Sequence, residues 1–218
     1  MEALNGSAVN VILFDVYGTL VEIRDKRAPF RKLIQIGSRQ GRKPSAADAG
    51  AIMGQAVGLL EAAERMGIRL TDAEKEQLQS DLHAEVASIA PFTDTLPALQ
   101  ELKNRGFKLG VCSNLAMDYA APVIALLPFE FDACVWSFDT AAIKPAPEIY
   151  AHVCQQLRCA PGEVLMVGDT IDADVEGPRA FGMQALLLDR KQRLATADAI
   201  ASLATLCDMV TRPAKATL

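Results

Sequence analysis

Residues Val11-Ile12-Leu13-Phe14 run without interruption into Asp15, and a Gly18-Thr19 turn follows. An apolar run with no polar alternation suits a strand covered on both faces, as at the centre of a parallel sheet. Ligands of open α/β sheets bind beyond the carboxyl ends of such strands, so Asp15 stands where chemistry is done. An aspartate in that position also serves as a simple turn residue. Three later sites decide between the two readings.

Each of those sites also follows a short apolar run. Lys108-Leu109-Gly110-Val111-Cys112 ends in Ser113-Asn114, a hydroxyl and an amide able to hold an oxyanion. Ala133-Cys134-Val135-Trp136 precedes Lys144-Pro145, with a helix opening near Pro147-Glu148. Val164-Leu165-Met166-Val167 releases into Gly168-Asp169, with Asp174 five residues on. A nucleophilic carboxylate, a hydroxyl, an ammonium and a pair of acids therefore all emerge from strand ends. That set suits displacement at an electron-poor centre carrying anionic oxygens.

Between these runs lie helical signals. Helices near 94–105, 117–127, 147–157 and 174–181 alternate with strands near 108–112, 132–136, 163–167 and 184–188. Such alternation means βαβ units and a parallel sheet. Gly106 and Gly182 fall where helix C-caps are expected. Residues 28–88 differ in texture, with helical periodicity and no convincing strand. Phe30, Leu33 and Ile34 share one helical face, Ala46 to Met66 is alanine-rich with an apolar face, and Thr71-Asp72-Ala73-Glu74 is a capping box that starts a third helix. Pro91 closes the insertion.

The four sites, in this order, resemble the motifs of the haloacid dehalogenase-like (HAD) hydrolase superfamily: Asp15-x-Tyr17-x-Thr19, Ser113-Asn114, Lys144-Pro145 and Gly168-Asp169 with Asp174. The resemblance implies a doubly wound, Rossmann-like α/β core over 1–20 and 91–218, and a small all-helical cap over 21–90. It makes Asp15 the nucleophile of an aspartyl-phosphate pathway, with Lys144 offsetting its charge. Thr19, Ser113 and Asn114 then orient phosphoryl oxygens. Mg²⁺ would be held by Asp15, the Tyr17 carbonyl, Asp169 and Asp174. Asp172 is spare, a helix-start residue.

One position departs from the family's phosphatases. Two residues after the nucleophile they carry a second aspartate as acid/base, and here Tyr17 stands there. Asp-x-Tyr-Gly-Thr is instead typical of the superfamily's (S)-2-haloacid dehalogenases, whose halide leaves unprotonated and which use no metal. Those enzymes lack an aspartate like Asp169, and they cradle halide with an arginine among aromatic residues. Residues 40–60 supply only Arg42 and no aromatic side chain. The resemblance thus favours a Mg²⁺-dependent phosphatase acting on a small anionic metabolite, with a metal-free dehalogenase as the alternative. A degenerate, non-catalytic binding domain is a third reading.

Composition narrows the partners. A net charge of −5 from 22 basic and 27 acidic residues argues against a nucleic-acid partner. No stretch approaches ~20 apolar residues, and Met1–Gly6 lacks the basic start of an export signal, so no membrane association is expected. Five cysteines without CxxC spacing read as free thiols in a reducing cytoplasm. His83 and His152, isolated in sequence, read as surface or packing residues. Arg24, Lys26, Arg27 and Arg31 enter the cap together and are candidates to meet an anionic substrate. A monomer and a homodimer are both compatible with the chain.

Overall fold

In the computed structural model, which describes residues 9–192 and 199–210, strand β1 (Val11–Phe14) is completely buried and lies inside a six-stranded sheet. The Met1–Gly6 stretch, expected to carry no export signal, lies outside the described residues. The strand order is β5 (Ala133–Trp136), β4 (Lys108–Ser113), β1, β6 (Val164–Gly168), β7 (Gln184–Leu188), β8 (Ala199–Ile200), and every pairing is parallel. Val11 is in register with Lys108 on one side and Val164 on the other. Successive connections therefore diverge at β1, and such a switch point opens a crevice at the strands' carboxyl ends.

Side-chain alternation builds the two layers. Ile12, Phe14, Leu109, Val111, Leu165 and Val167 face one apolar cluster, which also takes in Leu99 and Leu102 of α5 (Thr95–Asn104) and Leu203 and Leu206 of α10 (Leu203–Met209). Val11, Leu13, Cys112, Val164 and Met166 face the other, against Ile149, Tyr150 and Val153 of α8 (Pro147–Leu157). A period of two along each strand thus covers both faces, as the uninterrupted apolar runs require.

The segment between Asp15 and Ser113 corrects the expectation of an all-helical insertion. Its helices α1 (Pro29–Arg39), α2 (Ala47–Met53), α3 (Leu59–Arg65) and α4 (Asp72–Ala87) are flanked by two short strands, β2 (Val21–Ile23) and β3 (Ile89–Pro91), paired antiparallel. The alanine-rich stretch 46–66 is two helices, broken between Gly54 and Gly58. The Thr71–Glu74 capping box forms, with Glu74 N donating to Thr71 Oγ1 at 3.2 Å and Thr71 N to Glu74 Oε2 at 3.0 Å.

The helix expected at 117–127 is a 3₁₀ turn (Met117–Tyr119) followed by α6 (Ala120–Leu126). That expected at 174–181 is a π-type turn (Ile171–Glu176) followed by α9 (Gly177–Phe181). A short α7 (Ser137–Thr140) follows β5 directly. All five cysteines are free. His83 is exposed and His152 part-exposed, in contact with Gln156. Among the described residues no helix is long and apolar enough to cross a membrane.

Candidate active site

Asp15 directly follows β1, and its N–H still bonds to Val167 O of β6 at 2.9 Å, so the sheet ladder fixes its direction. The chain then folds tightly: Leu20 N and Val21 N both return to Val16 O, at 2.8 and 3.0 Å. Gly18 sits in this loop at φ +89°, a region that only glycine enters cheaply, and a Cβ there would run into the Asp169 carboxylate. Gly168 makes the same allowance for Asp174. The two glycines let three carboxylates converge. One carboxylate oxygen from each of Asp15, Asp169 and Asp174 lies within 4.8 Å of the other two.

Lys144 is the counterweight. Its Nζ, almost wholly buried, donates to Asp15 Oδ1 at 3.0 Å, to Asp174 Oδ1 at 2.6 Å and to the Cys112 carbonyl at 2.7 Å. Burial alone works against an ammonium here, but the Asp15 and Asp174 charges together outweigh it and raise the Lys144 pKa. Asp174 is shifted upward, first by burial and then by the Asp15 charge, with Lys144 opposing. Asp169 is also raised, again by burial first and Asp15 second. Three carboxylates facing one ammonium leave two negative charges in excess. Such a donor set, all oxygen and anionic, fits a hard divalent cation.

The remaining sequence-identified residues take distinct positions. Ser113 Oγ donates to Asp15 Oδ1 at 2.9 Å. Asn114 spends its amide on Lys144, with Oδ1 accepting from Lys144 N at 2.8 Å and Nδ2 donating to Lys144 O at 2.9 Å. Thr19 is fully buried, and its Oγ1 has no hydrogen-bond partner among the described residues. The Tyr17 side chain turns to Tyr119, whose carbonyl accepts from the Tyr17 hydroxyl at 3.0 Å, with the rings edge to face. Burial, and then the Glu85 charge, raise the Tyr17 pKa above the ordinary phenol value. Asp172 is exposed in the first turn of the π segment.

Several participants gave no sequence signal. Glu85, buried on α4, accepts from Arg27 N at 2.7 Å, from Ala28 N, and from Tyr119 Oη at 3.2 Å. Ser137 Oγ donates to Met53 O at 2.6 Å, tying the end of α2 to the core. Arg190, just after β7, donates to the Thr19 carbonyl at 2.7 Å, pairs with Asp94 and stacks 3.8 Å from the Phe92 ring centre. Isolated charged residues of this kind have no spacing rule that would mark them. Of the basic cluster, Arg24 pairs with Glu22 at 3.0 Å and Arg27 with Asp25 at 2.6 Å, and Arg31 is exposed. Arg42 binds both oxygens of Asp48.

A family model for haloacid dehalogenase-like hydrolases matches residues 9–182. The chain is 34% identical over 106 residues to a glyceraldehyde 3-phosphate phosphatase of Methanopyrus kandleri, covering 48% of this chain and 46% of that protein. It is 24% identical over 198 residues to (S)-2-haloacid dehalogenase 4A of Burkholderia cepacia, covering 84% of each. The chain spans about half the length of the curated glyceraldehyde 3-phosphate phosphatases it matches. Among solved structures, a HAD phosphatase from Thermococcus onnurineus superposes with a TM-score of 0.62 at 24% identity, over 92% of this chain and 97% of that one, a likeness of fold.

Proposed function

The chain belongs to the haloacid dehalogenase-like hydrolase family, and from that premise we propose that it is a Mg²⁺-dependent phosphatase acting on a small phosphorylated metabolite. The observation that carries this reading is the Asp169 carboxylate, set with Asp15 and Asp174 where metal-free chemistry has no use for it. The negative charge that Lys144 leaves unbalanced in this trio would repel a phosphate ester. Mg²⁺ held by these carboxylates and the Tyr17 carbonyl would offset the excess charge and shield the phosphoryl oxygens.

The chain's own residues then do the following. Ser113 and Lys144 both donate to Oδ1 of Asp15 and orient its carboxylate, which attacks phosphorus. Attack forms an acyl phosphate on Asp15 as the ester oxygen departs with its electron pair, and water later cleaves the acyl phosphate. The Thr19 hydroxyl, without a hydrogen-bond partner among the described residues, is offered to a phosphoryl oxygen. Asn114 acts by holding Lys144 in place. The helices of 21–90 act as a cap that excludes water during attack. The free cysteines suit a reducing, cytoplasmic setting.

Dehalogenation is the second reading, favoured by Tyr17 in the acid/base position and by the length of the match to a haloacid dehalogenase. Against it, Arg42, the one arginine between 40 and 60, is engaged by Asp48. The test is phosphate release from p-nitrophenyl phosphate and chloride release from 2-chloropropionate, each with Mg²⁺ or excess EDTA. Phosphate release that needs Mg²⁺ is expected. Chloride release that persists in EDTA would overturn the assignment.

A further inference from the structure

A recess of about 660 Å³ opens beside Asp169 and Gly18, between the β2 segment and the end of β7, with Ile23, Phe92 and Leu187 among its apolar walls. Its volume suits a small metabolite rather than a bare phosphate. The charges around it are unequal in their freedom. Glu22 is paired with Arg24, Arg190 with Asp94, and Asp189 has a partner of its own. Asp169 belongs to the carboxylate trio. Lys26 and Lys191 are exposed, line the same recess from opposite segments, and make no ion pair among the described residues. Among the described residues, the cations left uncommitted around this recess are therefore two ammonium groups beyond the carboxylates.

We propose that the recess receives the distal end of the substrate, and that Lys26 and Lys191 select substrates carrying a second anionic group, a carboxylate or a second phosphate. This rests on the phosphoryl-ester reading of the adjoining carboxylates. Two compact, flexible ammonium groups recognise such an anion as point charges, without the planar geometry an arginine imposes. Arg24 and Arg27, neighbours of Lys26 in sequence, are spent on Glu22 and Asp25 and take no part.

The test measures binding rather than turnover. Calorimetry with Mg²⁺ present compares phenylphosphonate with 4-carboxyphenylphosphonate on the wild-type protein and on the Lys26→Ala, Lys191→Ala double variant, with thermal melting to verify folding. The wild type should favour the carboxylated probe roughly fivefold at low salt, fading as ionic strength rises, as exposed charge contacts do. In the double variant the preference should fall to near one. Equal affinity in the wild type, a preference that survives both substitutions, or binding of neither probe would overturn the inference. If the wild type keeps the preference yet hydrolyses no phosphate ester, the recess stands and the phosphatase reading alone fails.

Discussion

The Tyr17 hydroxyl donates its proton to the main-chain carbonyl of Tyr119 at 3.0 Å. Two residues after Asp15, the proposed nucleophile, where a family phosphatase keeps an acid, this chain keeps a phenol that is already committed and shifted further from neutrality. Departing groups must therefore leave without a proton from Tyr17. Alkyl phosphates should lag p-nitrophenyl phosphate by about 10²–10⁴ in kcat/KM beyond what the two reactions show with an acid-bearing relative. Tyr17→Phe should cost far less than that range on the aryl ester, and Tyr17→Asp should narrow the gap. Rapid turnover of a simple sugar phosphate by the wild type would show that another group supplies the proton.

Asp15→Asn should abolish turnover of every substrate, because both candidate chemistries pass through its carboxylate. Asp169→Asn should abolish the Mg²⁺-dependent reaction alone. Mass spectrometry must first exclude deamidation, after which wild-type rates in Asp15→Asn would refute the nucleophile.

Removing the Lys144 ammonium strands two buried carboxylates, Asp15 and Asp174, that it now bridges. Breaking a buried pair from one side typically costs about 3–5 kcal/mol. Lys144→Met should therefore be inactive and less stable by that order in urea titration. Asn114→Ala, which frees Lys144's main chain but keeps its charge, should lower kcat more than it raises KM. A pure KM effect would mean that Asn114 works on bound substrate instead.

The Arg42 guanidinium, hydrogen-bonded to both oxygens of Asp48, holds that carboxyl down to about 2. A carboxyl lowered by folding stabilises the fold above its unfolded pKa of about 3.9, and the benefit fades as pH falls through the folded value. The stability gap between wild type and Asp48→Asn should be full at pH 6 and close between about pH 4 and 2. Urea midpoints across that range check this, and a gap that stays constant to pH 2 would show that the pair is not its source.

Much of the core is legible because its signals are local. Val11–Phe14 and Val164–Gly168 are apolar runs long enough to be recognised as buried strands, and their polar ends name Asp15 and Asp169 directly. The β2–β3 pair is not legible, because Val21–Ile23 is too short to show alternation and its partner lies more than sixty residues away. Pro91 at the ladder's end even argues against a strand. The break in 46–66 was marked by Gly54 and Gly58, but alanine propensity on either side obscured it. In the site, residue types could be read but not their pairing: nothing in the order of residues says that Asn114 would bind Lys144 or that Tyr17 would turn to Tyr119.

Ile23 and Ile89 face one another in register at the far end of the β2–β3 ribbon. Along the chain, everything from Arg24 to Ser88 therefore leaves and rejoins the core through two adjacent strands, while the Ser137–Met53 and Tyr119–Glu85 hydrogen bonds and the shared apolar cluster hold it from the side. A tight turn joining the two isoleucines would restore chain continuity without moving β1. Helices taken from a relative could enter at the same two points provided their core-facing side chains match this apolar cluster, while the carboxylates and Lys144 stay where the sheet puts them.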